Sequence, residues 1–353
     1  MKHKLLNYIV CPVEGFPLKL ERNGEVVKGE VVEGVLSCKA GHKFPIRGGV
    51  PRLLLPEALE STMQQTQESF SAKWKRIPDF GFEESSRDFY VNWYLQKYGF
   101  GDMKNLKSFL KNKKHILDAG TGLGRDAMLY AKNTRGQVFA LDISSSIENA
   151  YHHVGHLPNV HLIQADLTAL PFPDSLFDYI ASDMVIHHTP NTQKSFESLY
   201  RCLLFGGEIA FYVYKKKGPI REFCDDFLRN HYTQASEEEC YTFSRAMARL
   251  GKQLSNLNIN IEITEEIPIL NIKAGQYDLQ RFIYWNIFKC YWNDGLEFDA
   301  NVMTNFDWYS PKYAHRHTPE EVRKWCEKLG LKNIFFDVSD SGISTRCIKH
   351  EIK

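Results

Sequence analysis

A chain of 353 residues holds one large domain or two to three smaller ones, and its 43% hydrophobic and 25% charged residues are ordinary for a globular protein in water. The net charge of +1 excludes a general electrostatic pull toward nucleic acid, and no apolar run approaches the ~20 residues that span a bilayer. Eight scattered cysteines do not make a disulfide framework, which points to a reducing, cytoplasmic setting.

The opening MKHKLLNYIVCP is basic and then apolar, but it is too short for a secretory leader and lacks a small-residue cleavage site. Residues 1–56 continue as short β-type runs punctuated by Gly and Pro, which predicts a small β-rich module. Within it, Cys11, Cys38 and His42 have the residue types of a zinc site. Both a zinc-bound and a metal-free module fit these residues, because FPIRGGVPRLL supplies an apolar core of its own. Residues 57–105 turn polar and aromatic. The spacings Phe70/Trp74 and Phe89/Trp93 predict helices that connect the module to the rest of the chain.

From Lys114 the pattern becomes strand, turn and helix, repeated. HILDAG, QVFALDI, VHLIQADL, FDYIASDMVI and GEIAFYVY read as five strands of a mainly parallel sheet, the core spanning 106–214. The alternation stops at Tyr214, and residues 215–312 read as a helical insertion rather than an implausibly long loop. The core pattern resumes over 313–353. Thr318-Pro319-Glu320-Glu321 starts a helix running to Leu329-Gly330, and the strands NIFFDVS and STRCIKH come after it. The lysine clusters at 111, 113 and 114 and at 215–217 read as solvated surface.

The first of these strands runs into Asp118, with glycines at 120, 122 and 124. A dinucleotide fingerprint needs its third glycine at 125, where Arg125 stands, and the Gly-Lys-Ser/Thr of a triphosphate loop is absent. Asp118 would repel a pyrophosphate and attract a ligand with a cationic amino group. Asp142 closes the second strand about twenty residues on, where a carboxylate can accept both hydroxyls of a ribose. Asp166 and Leu167 close the third strand, placed for an adenine amino group and the face of its ring.

This arrangement resembles the class I S-adenosylmethionine-dependent methyltransferases, particularly their small-molecule and quinone-type branch, over about 105–214 and 313–353. LPFPDSLFDYIASDMVIHHTPN is similar to the family's passage from third to fourth strand, and SLYRCLLFGGEIAFYVY to its helix, Gly-Gly turn and fifth strand. The resemblance implies a Rossmann-like, seven-stranded, mainly parallel α/β sheet with helices on both faces. It implies that Asp118, Gly120, Thr121, Gly122 and Gly124 hold the methionine part of S-adenosylmethionine. Asp142 with Ile143 would hold the ribose, Asp166 with Leu167 the adenine, and Ser182 would adjoin them. Residues 1–56 resemble zinc-ribbon-like activators of tRNA and translation-factor methyltransferases, whose usual Cys-Pro-x-Cys pair here ends in Glu14.

Asp183, His187 and His188 lie after the fourth strand, where an acceptor would meet the methyl group. They are candidates for a base, the alternative being that the histidines are structural or line the cofactor. The insertion is where acceptor identity should reside, with Arg221, Arg281, Tyr284, Trp308, Tyr309 and His315 as candidate contacts. Phe70 and Trp74 would close the other side, since aromatic faces suit a sulfonium cation. The expected activity is transfer of a methyl group to oxygen or nitrogen of a small or carbohydrate-like molecule. An RNA methyltransferase and a non-catalytic nucleoside-binding scaffold are the other two readings.

Overall fold

The structure is a computed structural model that describes residues 1–21, 24–54 and 61–350. The expected boundary at 56/57 between the amino-terminal module and the connector lies outside them.

The amino-terminal strands are β1 (Lys19–Leu20), β2 (Glu25–Val27), β3 (Glu30–Ser37), β4 (Lys43–Arg47) and β5 (Val50–Leu53). Helices α1 (Ser61–Arg76), α2 (Glu84–Lys97) and α3 (Met103–Leu110) form the connector. The core then alternates β6 (His115–Ala119), α4 (Arg125–Asn133), β7 (Gln137–Asp142), α5 (Ile147–Val154), β8 (Val160–Ala165), β9 (Phe177–Ser182), α6 (Thr192–Cys202) and β10 (Leu203–Lys215). After β10 come α7 (Pro219–Tyr232), α8 (Glu237–Asn256), β11 (Asn260–Ile263), β12 (Gly275–Asp278), α9 (Leu279–Asn286) and α10 (Phe298–Tyr309). The chain closes with β13 (Arg316–His317), α11 (Pro319–Lys328), β14 (Leu331–Val338) and β15 (Gly342–Lys349).

The core strands lie in the order β8-β7-β6-β9-β10-β15-β14, the first five mutually parallel and β15 antiparallel to both neighbours. This is the expected seven-stranded, mainly parallel sheet. Its inner strands are mostly apolar and buried because both faces are covered. Alternate residues serve opposite cores: Leu117, Phe139 and Ile163 face one cluster with α6 and α11, while Ile116, Val138 and Leu162 face the other. The helix at Thr318 forms as expected, with the Thr318 hydroxyl accepting from the Glu321 amide in a capping box.

Two features depart from the expectation. The amino-terminal module does not stand apart: β5 pairs in parallel with β8 through Arg52/Gln164 and Leu53/Ala165, so one sheet of 13 strands runs through both. Left to itself, β8 would be an open edge of the sheet, and β5 covers its carboxyl-terminal residues. The insertion is also not wholly helical, since β11 and β12 form an antiparallel hairpin within it.

Candidate functional site

The carboxyl ends of β6, β7, β8 and β9 open onto one cavity of about 440 Å³, closed by α1, α2 and the insertion. At the end of β6 the chain turns so tightly that Gly120 has φ +90°, and a Cβ there would fall 2.3 Å from Val185. Gly122 faces the Trp74 indole at a distance that leaves a Cβ only 3.2 Å. Both glycines therefore let the backbone approach the cavity where a side chain would obstruct it.

Three carboxylates line this end of the cavity. Asp118 accepts from the Thr121 hydroxyl at 2.5 Å; burial first, then the charge of Asp126, pushes its carboxyl up to about 8. Asp142 accepts from the Gly122 amide at 2.8 Å and from the Ser144 amide and hydroxyl at 2.8 and 2.6 Å. Burial raises its pKa against those hydrogen bonds. Asp166 is half-buried and accepts from the Thr168 amide at 2.8 Å, with Leu167 beside it. Thr121 and Ile143 complete the predicted residues on this wall.

Two of the predicted cofactor contacts lie behind the wall rather than on it. Gly124 is the left-handed N-cap of α4, packed toward Val154. Ser182 is fully buried and donates to the Ala119 carbonyl at 3.0 Å, which braces β9 against β6.

At the centre of the cavity Asp183 accepts from the Lys97 ammonium at 2.5 Å and the Tyr98 hydroxyl at 2.7 Å. Lys97 also lies 3.8 Å from the Tyr212 ring centroid, and burial lowers its pKa against the pull of Asp183. The two histidines part company. His188 lines the cavity, its Nδ1 2.6 Å from the Tyr313 carbonyl. A carbonyl only accepts, so Nδ1 carries the proton and Nε2 keeps a lone pair. Burial drives this imidazole down to about 3, so it is neutral at any physiological pH. His187 is fully buried behind it, its ring 3.9 Å from that of Tyr214, and does not line the cavity.

The far end is built by the insertion and α1. Tyr284 and Trp308 line it as expected, together with Tyr214 and Trp285, while Phe70 and Trp74 of α1 face them. Arg221 also reaches the wall, but its Nε donates to Asp225 at 2.8 Å and its Nη1 to the Tyr284 carbonyl. Three other candidates are turned away by packing. Arg281 donates to the Trp292 carbonyl at 3.0 Å, the buried Tyr309 hydroxyl donates to the Lys289 carbonyl at 2.8 Å, and His315 packs its ring beside Tyr313.

Lys73, Lys217, Lys289 and Asp307 line the cavity, Lys97 stands behind Asp183, and no motif in the sequence marks Lys73 or Lys97. Lys217 in particular is not the solvated surface residue its lysine cluster suggests. Lys73 and Asp307 pair at 2.7 Å across 234 residues of chain, a contact with no local signature. Lys73 and Lys97 do lie close to the Phe70/Trp74 and Phe89/Trp93 spacings, which mark the right helices.

Far from this cavity, Cys11 Sγ and Cys38 Sγ each lie 3.6 Å from His42 Nδ1, all three ligand atoms within 4.8 Å of one another. Two thiols and an imidazole suit the nitrogen and sulfur preference of zinc. Burial raises the Cys38 thiol, but hydrogen bonds from the Ala40 and His42 amides and the His42 ring outweigh it and hold it at about 7. Glu14 is not part of this cluster.

Residues 117–211 match a family model described as a methyltransferase domain, and residues 2–49 match one described as Trm112p-like protein. The ubiquinone/menaquinone biosynthesis C-methyltransferase UbiE of Vibrio cholerae is 31% identical over 115 residues, 31% of this chain and 44% of that protein. Phosphoethanolamine N-methyltransferase 2 of Caenorhabditis elegans is 24% identical over 234 residues, 65% of this chain and 47% of that protein. The chain thus spans less than half the length of each of these two relatives. A SAM-dependent methyltransferase from Aquifex aeolicus of known crystal structure is 15% identical, with a TM-score of 0.40 over 79% of this chain and 98% of that one. Among the described residues no helix is long and apolar enough to cross a membrane.

Proposed function

We propose that this chain, which carries an S-adenosylmethionine-dependent methyltransferase domain joined to a Trm112p-like module, transfers a methyl group to oxygen or nitrogen of a small acceptor. The reading is carried by one observation: Asp118, Asp142 and Asp166, at the ends of three adjacent strands, open onto the same cavity as the aromatic wall of the insertion.

When bound, S-adenosylmethionine supplies an electrophilic methyl group on a sulfonium. Asp118 would hold the ammonium of its methionine part, Asp142 would accept from the ribose hydroxyls, and Asp166 from the adenine amino group, with Leu167 available to the ring. Phe70, Trp74 and Tyr90 offer ring faces and keep water from the reacting centre. A displacement of this kind depends on alignment, so a base matters only where the acceptor must lose a proton. His188 Nε2 holds a lone pair at the cavity wall and is the residue suited to accept from an acceptor hydroxyl or amine. Asp183, held by Lys97 and Tyr98, is suited to orienting that group. Neither role falls to His187.

The eight cysteines are all free thiols, which supports a reducing, cytoplasmic setting. A second reading, an RNA acceptor, draws its support from the Trm112p-like module alone. It predicts co-purifying RNA and binding that weakens steeply with salt. Calorimetry with S-adenosylmethionine tests the shared premise. Asp142→Ala removes an acceptor worth about 1.5–3 kcal/mol, so affinity should fall roughly 10- to 150-fold. No binding, or binding indifferent to that change, sinks the proposal.

Zinc in the module is held by Cys11, Cys38 and His42 in this reading, with a fourth position left to another ligand. Metal analysis of protein purified without chelators should find one zinc per chain, lost on Cys38→Ser. A module equally folded and free of metal contradicts it.

A further inference from the structure

Charge is distributed unevenly along the cavity. The acids Asp118, Asp126, Asp142 and Asp166 lie at the glycine-turn end with Arg125, which pairs with Asp126, and Asp183 lies between. Four cations, Lys73, Lys217, Lys289 and Arg221, line the end made by α1 and the insertion. Two acids answer those four. Asp225 is taken by Arg221 at 2.8 Å, and Asp307 by Lys73 at 2.7 Å. Lys289 is left 3.9 Å from the other Asp307 oxygen, and Lys217 donates to the carbonyls of Asp340 and Ser341.

We propose that this end is an anion subsite, so that the methyl acceptor carries a carboxylate or phosphate held by Lys217 and Lys289 while its body lies between the aromatic rings. That the bound anion is a methyl acceptor rests on the methyltransferase reading; the anion subsite itself does not.

Lys217 and Lys289 each keep at least one N–H beyond these contacts beside this space. Lys289 is 5% exposed and sits 4.7 Å from the Trp308 ring centroid, and Lys217 sits 5.0 Å from that of Trp285. The Trp308 indole N–H is buried and has no hydrogen-bond partner among the described residues. Buried cations in excess are costly, and burial lowers Lys217 far below its ordinary value and Lys289 to about 8. A ligand presenting only acceptor oxygens satisfies both ammonium groups and the indole together. A neutral hydroxyl brings a donor, and among the described residues the only carboxylate lining this end is the already paired Asp307. The flat apolar walls explain why this anion should be attached to a ring or chain rather than be free in solution.

The test uses full-length protein saturated with S-adenosylhomocysteine, titrated with benzoate, phenyl phosphate and the neutral isostere benzamide. Tryptophan fluorescence reports occupancy, because Trp285 and Trp308 form the walls. At least one anionic probe should bind about tenfold or more tighter than benzamide, as charge-assisted hydrogen bonds do relative to neutral ones. Preference for phenyl phosphate assigns phosphate, and preference for benzoate assigns carboxylate. The double variant Lys217→Gln/Lys289→Gln should lose that advantage while binding S-adenosylhomocysteine within about twofold of the parent, since that ligand sits at the other end. Trp308→Phe, which keeps the ring and removes the donor, should weaken the anion by a smaller factor. Equal binding of benzamide and both anions by the parent protein overturns the proposal without reference to any variant, as does full anion affinity in a folded double variant. Failure of S-adenosylhomocysteine to bind, with anion selectivity intact, defeats the methyltransferase reading and leaves the subsite standing.

Discussion

Asp118 and Asp142 are both buried carboxylates at strand ends, but their local partners set them different tasks. Asp142 receives three hydrogen bonds from the Gly122 amide and Ser144, which favour its charged form. Asp118 receives fewer, from the Thr121 hydroxyl and the Ala127 amide, and burial first, then the charge of Asp126, holds its carboxyl at about 8, protonated at neutral pH. Its folded value stands above the ordinary carboxylate value near 3.9, so the native state binds the extra proton between those limits and stability falls as pH rises through that window. A cationic amino group brought against Asp118 reverses the preference. Binding of S-adenosylmethionine at pH 7 should therefore release about one proton, seen as a calorimetric heat that changes with the ionisation enthalpy of the buffer. Asp118→Asn should abolish the buffer dependence. The placement of these carboxylates on the cavity was legible in the sequence because it comes from position at a strand end, a local property. Arg281, Tyr309 and His315 were not, since which way a helical or loop side chain points is decided by packing against elements far away in the chain.

At the level of elements, β5 decides how the amino-terminal module behaves. It continues the sheet at β8, and the core of the module shares one apolar cluster with Leu117, Phe139 and Phe172 of the methyltransferase domain. The β-rich character of residues 1–56 could be read from Gly, Pro and β-branched runs. Its fusion to the sheet could not, because strand pairing over more than a hundred residues leaves no periodic trace. The hairpin β11-β12 left a faint one, in the alternation of Ile261 and Ile263 before Gly275. Fusion makes a sharp prediction. All six tryptophans lie between residues 74 and 325, outside the module, so their fluorescence reports on the rest of the chain. Leu53→Ala removes a side chain only 1% exposed and should cost about 2–5 kcal/mol. The tryptophan-monitored urea midpoint should fall by the corresponding amount. An unchanged midpoint would mean that the module unfolds on its own.

Across the whole molecule, the cavity exists only because segments distant in sequence meet over the sheet. Helix α1 is tied to α10 and the residues after it by Lys73–Asp307 at 2.7 Å, Ser69–Ser310 at 2.7 Å, and Gln65, which bonds the Ser310 carbonyl and the Lys312 amide. Lys73 and Asp307 are each about nine-tenths buried, so most of the strength of this tie lies in not leaving either charge alone. Asp307→Asn should destabilise the protein by about 3–5 kcal/mol in urea unfolding, whereas Lys73→Met combined with Asp307→Leu should recover only part of that loss, because Lys289 is left buried without the Asp307 carboxylate. In the proposed reading S-adenosylmethionine sits at the opposite end and binds only the native state, so a hundredfold excess over its dissociation constant should add about 2.7 kcal/mol to the parent and to both variants alike. Equal increments place the tie in the fold, separate from the cofactor end. A smaller increment in Asp307→Asn alone would show that α1, through Phe70 and Trp74, carries the loss of this pair to the glycine turn, and the two ends of the cavity would then be coupled sites.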